Sequence, residues 1–69
     1  MFVNVRREMA AYGHKGMTII ELSEKLGISS RALSNKLNGK NEFNRKEMLK
    51  IQQLFGGKLN LDELFVWVD

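Results

Sequence analysis

Between Ser29 and Lys50 the chain carries Arg31, Lys36, Lys40, Arg45, Lys46 and Lys50 against only Glu42 and Glu47, a local charge of +4 that leaves −1 for the rest of a +3 chain. Ammonium and guanidinium groups gathered in one stretch have the chemistry of polyanion binding, since each can neutralise a phosphate and release its counterion. The same charges also suit a solvated face, and charge alone does not separate the two. Other chemistries lack their parts. With no cysteine and a single histidine, thiolate nucleophiles, disulfides and cysteine-bearing metal sites are excluded. His14 stands between Gly13 and Lys15, whereas zinc takes several clustered His or Cys donors, so it reads as a solvated loop residue. There is no glycine-rich phosphate loop and no carboxylate dyad, hence no set of nucleophile, base and oxyanion donors. The sequence predicts no enzyme, no metal, no cofactor and no small-molecule ligand.

The elements that must position those cations begin at residue 17. Thr18 and Glu21 have the spacing of a capping box, in which each side chain reaches the other residue's backbone N–H. A helix over about 19–26 follows, with Ile19, Leu22 and Leu26 at helical spacing, small Ser23 beside them, and Glu21 four residues before Lys25. Gly27 stops it, because a chain leaving one helix and turning at once toward another needs a residue that takes positive φ without a clash. Ile28 then plugs the core, and Ser29 caps a second helix over about 30–38. Leu33 and Leu37 face inward there, while Arg31, Asn35 and Asn38 project to the opposite side. Asn38-Gly39 ends it. Two short helices joined by a tight turn are the outline of a helix-turn-helix, and its coincidence with the basic stretch points to DNA.

The remaining segments use the same signals. Val5, Met9 and Tyr12, joined by Phe2, form an apolar stripe on a first helix ending at Gly13. Asn44…Glu47 is a second capping box, opening a helix through Met48, Ile51, Leu54 and Phe55 that stops at Gly56-Gly57. Asn60…Glu63 is a third, opening a short helix through Leu61, Leu64 and Phe65. Strand-like alternation is confined to Val66-Trp67-Val68. The expectation is one all-α domain over residues 1–69 with five short helices, and a thin stability margin, because a chain this small buries a lower fraction of its surface than a large one. No apolar run is long enough to span a bilayer. Arg6, Arg7 and Glu8 lie where a signal peptide needs its apolar core, which predicts a cytoplasmic protein.

The chain resembles the lambda-repressor and Cro-type DNA-binding domains, the XRE family of phage, prophage and mobile-element regulators. The resemblance rests on Ser23, Gly27, Ile28, Leu33, the exit Leu37-Asn38-Gly39-Lys40-Asn41-Glu42-Phe43-Asn44 and the closing Asp62-Glu63-Leu64-Phe65. It implies a sequence-specific regulator of transcription, a repressor that binds an operator in double-stranded DNA. By position, Ser30, Arg31, Ser34 and Asn35 would reach base edges in the major groove. Arginine suits guanine O6 and N7, and asparagine can pair with adenine. Thr18, Lys36, Asn38, Lys40, Asn41, Asn44, Arg45 and Lys46 would hold the phosphate backbone. Where many such proteins start the first of the two helices with glutamine, this chain has Ile19, so that phosphate contact is either missing or replaced by the backbone N–H groups of that helix start. The fifth helix and tail imply a homodimer contact through Leu61, Leu64, Phe65 and Trp67. The alternative is a protein-binding module on the same scaffold, an antitoxin or antirepressor. The apolar run Leu64–Val68 must pack on its own core or on a partner, which keeps that alternative open.

Overall fold

A computed structural model describes residues 1–69 as five helices: α1 (Val3–Ala10), α2 (Ile19–Leu26), α3 (Ser30–Leu37), α4 (Arg45–Leu54) and α5 (Leu61–Leu64). All three expected capping boxes form, at Thr18/Glu21, Asn44/Glu47 and Asn60/Glu63, and the Ser29 hydroxyl accepts the Ala32 N–H at 3.0 Å. Each supplies partners for N–H groups that a helix start otherwise leaves unpaired.

The α2–α3 turn is a Schellman closure. Gly27 sits at φ +75, its N–H reaches the Glu24 carbonyl at 3.2 Å, and Ile28 N–H reaches the Ser23 carbonyl at 3.1 Å. This arrangement needs a left-handed residue at the Gly27 position and satisfies carbonyls that the helix end would strand. Ser23 is buried at the packing face of α2 against α3, its hydroxyl returned to the Ile20 carbonyl at 2.7 Å. A small side chain with its own polar partner lets the two helices approach without burying an unpaired group.

Six side chains are almost wholly removed from solvent, Val5, Leu22, Leu33, Leu37, Ile51 and Leu64. They draw on all five helices, so the helices share one core, and each side chain contributes about 1.5–3 kcal/mol of apolar burial. Met9, Met17, Phe43 and Phe55 complete the core, with Ile19, Leu26, Ile28, Met48, Leu54 and Phe65 packed against it.

Three expectations are corrected. α1 ends at Ala10 rather than Gly13, because the chain must reverse there to let Met17 N–H bond the Met9 carbonyl at 2.7 Å and to sink Met17 into the core. Tyr12 therefore leaves the helical stripe and packs edge-on against Phe55 from an exposed position. The tail Val66–Val68 forms no strand; it is held by a reciprocal backbone pair between Met1 and Val68.

Candidate nucleic-acid interface

With Leu33 and Leu37 buried, the outer side of α3 presents Ser30 and Arg31 exposed and Ser34 and Asn35 half-buried. None of these four side chains makes a hydrogen bond within the chain. Their donors and acceptors are free for another molecule, and a guanidinium beside a carboxamide on one helix face offers both bidentate geometries that base edges recognise.

The cations around α3 divide into two kinds. The single ion pair of the chain joins Lys36 Nζ to Glu47 Oε1 at 2.8 Å, with the side chains only 16% and 12% exposed. Lys36 also donates to the Glu42 carbonyl at 3.2 Å and lies 6.0 Å from the centre of the Phe43 ring. Burial pushes the Glu47 carboxyl up, but the Lys36 ammonium and the Asn44 N–H outweigh it and hold the group below the ordinary carboxylate range. Lys36 is thus a strut between α3 and the start of α4, and the phosphate role expected for it is taken up internally. Arg31, Lys40, Arg45, Lys46 and Lys50 are exposed and unpaired. Lys46 and Lys50, one turn apart on α4, line a shallow concavity with Leu26, Asn44 and the Lys36-paired Glu47.

At the start of α2, Thr18 Oγ1 accepts Glu21 N–H at 3.1 Å and Thr18 N–H donates to Glu21 Oε1 at 3.0 Å. The Thr18 N–H, with its hydroxyl, holds the Glu21 carboxyl low. The helix start therefore carries its own anion, and Ile19 and Ile20 keep the N–H groups without a partner in the chain.

The exit of α3 is built by a second Schellman closure. Gly39 has φ +81, its N–H meets the Lys36 carbonyl at 3.2 Å, and Lys40 N–H meets the Asn35 carbonyl at 2.9 Å. Arg6 of α1 donates to the Asn38 side chain at 3.1 Å. Asn38 is thereby engaged on one side, whereas Lys40 and Asn41 stand exposed beyond it. The Arg6 contact has no signal in the sequence, since it joins residues whose proximity only the packed fold creates.

The dimer surface expected at α5 is partly consumed by the domain itself. Leu64 is core, 1% exposed, and so cannot be an intermolecular contact. Phe65 packs edge-on against Phe2 and Phe43 at 5.9 and 5.2 Å. Trp67 packs on Phe2 at 5.0 Å with one face exposed, and Leu61 is half-buried.

No helix is long and apolar enough to cross a membrane, and no group of His, Cys, Asp and Glu residues is arranged to hold a metal ion. No curated protein and no solved structure matches the chain. A family model described as helix-turn-helix matches residues 9–62, from the end of α1 into α5. With that match running through α2, its turn and α3, the chain belongs to the lambda-repressor-like helix-turn-helix family of DNA-binding regulators.

Proposed function

We propose that this chain is a sequence-specific transcriptional repressor of the phage or mobile-element type, acting by occupying an operator. α3 enters the major groove, with Ser30, Arg31, Ser34 and Asn35 on base edges. Lys40, Asn41, Arg45 and Lys46 hold phosphates, and Lys50 joins them from the next turn of α4. The observation that carries this reading is the outer face of α3, where side chains able to read bases have no internal partner and unpaired cations flank them. Phosphate contacts fix register and base contacts specify sequence, so the two groups of residues have separable effects.

One copy covers a short stretch of groove. Two copies on a palindrome with half-sites about one helical turn apart would gain the affinity a single copy lacks. The surface left for that contact is Leu61, the outer face of Trp67 and the neighbouring Met1, Val66 and Val68, all four of the latter exposed. The same apolar group is what favours a protein partner instead, as in an antitoxin or antirepressor.

Selection of preferred sites from random duplex DNA tests the reading. Enrichment of a half-site, and of its inverted repeat if copies pair, is expected. Recovery of no preferred sequence, with the protein folded, would overturn operator recognition and leave the protein-binding reading in its place.

A further inference from the structure

The C-terminal tail lies across the exit of the recognition helix. Gly39, in the left-handed conformation, faces the benzo ring of Trp67 so closely that a Cβ built there would stand 2.5 Å from Cη2 and 3.0 Å from Cζ3. Trp67 is held in that place on three sides. Its ring packs edge-on on Phe2, its indole N–H donates to Asp69 at 2.9 Å, and the next residue, Val68, is paired through its backbone with Met1. Phe2 in turn packs on Phe43 at 5.5 Å, at the far end of the same loop. The segment Asn38–Phe43 is therefore clamped between α3 on one side and both ends of the chain on the other. It carries the free cation Lys40 and the amide Asn41, both beyond the glycine that Trp67 covers.

We propose that Trp67 is a positioning residue for DNA binding. By covering Gly39 it holds the left-handed exit of α3 and so aims Lys40 and Asn41 at the phosphate backbone, without touching DNA itself. This rests on the DNA-binding reading given above. A loop ordered in advance loses less conformational freedom on binding, so a residue that orders it raises affinity through its neighbours. The covering atoms belong to the outer ring of the indole, which makes a distinction testable. Phenylalanine at this position keeps an aromatic contact with Phe2 but is too short to cover Gly39.

The test compares wild type, Trp67→Phe, Trp67→Ala, Lys40→Ala and the Trp67→Phe/Lys40→Ala double variant on a duplex from the site selection and on an unrelated duplex, with folding checked by circular dichroism. Trp67→Phe should stay folded and lose roughly threefold to tenfold in affinity at about 0.1 M salt on both duplexes, with a log–log salt slope smaller by up to one unit, the share of one phosphate contact. Lys40→Ala should add little to it, because the contact is already lost. A second readout needs no DNA: exchange of the Lys40 amide, bonded to the Asn35 carbonyl, should accelerate in Trp67→Phe and Trp67→Ala while the amides of α2 do not change. Wild-type affinity in a folded Trp67→Phe, additive effects with Lys40→Ala, or unchanged Lys40 exchange would overturn the proposal. Failure of the wild type to bind any duplex would instead overturn the DNA reading and the role of Trp67 in it, while the exchange measurement still shows whether the tail orders the loop.

Discussion

The α2–turn–α3 unit and the seam between the chain ends are closed by different means. In the first, hydrogen bonds run between near neighbours: Thr18 with Glu21, Gly27 with Glu24, Ile28 with Ser23, Ser29 with Ala32. In the second, Phe2, Phe43, Phe65 and Trp67 meet edge-on, and Met1 pairs with Val68 across almost the whole length of the chain. Local closure lets the α2–α3 unit devote its outer face to polar groups that bond nothing within the chain. The seam has less such freedom, since Phe2, Phe43 and Phe65 are committed to one another and only Trp67 keeps an exposed side. The unpaired polar face of α3 and the aromatic seam are thereby separate surfaces, and they meet at the exit of α3, where Trp67 lies against Gly39 and Arg6 reaches Asn38.

The comparison can be broken hardest at the core that both regions share. Leu33→Ala removes a side chain with no solvent exposure and should cost about 2–5 kcal/mol, as large-to-small core changes do. Urea unfolding measures it. In a domain of this size that is enough to leave a large unfolded fraction at ambient temperature.

A more discriminating pair is Gly27→Ala against Gly39→Ala. Both glycines are left-handed, but a Cβ at Gly27 meets nothing within 4 Å, whereas at Gly39 it strikes Trp67. Gly27→Ala should cost about 1–2 kcal/mol, the backbone strain alone. Gly39→Ala should cost more, because Trp67 must also move. In a Trp67→Ala background the two costs should converge; persistence of the gap would mean that the ring is not what Gly39 accommodates.

Among the cations, Lys46→Ala should weaken binding to every duplex and reduce the salt slope by about one unit. Lys36→Ala should change the slope little and show its effect in unfolding, because its ammonium serves Glu47. The smallest effect is on pH dependence. Glu47 and Glu21 are held below the ordinary carboxylate value of 4.5, so the stability they contribute is present above that value and is lost as pH falls through their lower folded values. Glu47→Gln should flatten the acid limb of the stability curve.

What could be read from the sequence follows the same division. The five helices, the three capping boxes, Gly27 as the turn and the outward face of Arg31 and Asn35 were all legible, because each is fixed by residues within one or two turns of one another. The length of α1 was not. Tyr12 fits its periodic stripe, and only the long-range need to bury Met17 ends the helix at Ala10. Nor was the inward turn of Lys36, whose partner lies on another helix, or the Arg6–Asn38 contact. For the tail, the sequence showed apolar side chains in need of cover and not what covers them: Leu64 goes to the core, Phe65 and Trp67 to Phe2. Residue type and spacing specify local closure, whereas pairings across the chain depend on how the helices pack.

The most direct measurement is the ratio of affinity for a selected site to affinity for an unrelated duplex, in wild type and in Arg31→Ala and Asn35→Ala. Each side chain is free on the face of α3, and a lost base contact removes discrimination of roughly 1–3 kcal/mol per residue while leaving phosphate contacts in place. The ratio should fall about 5- to 150-fold in each variant, with helicity kept and the affinity for unrelated duplex nearly unchanged for Asn35→Ala. A ratio that stays at the wild-type value in both folded variants would contradict the assignment of the α3 face as the base-reading surface.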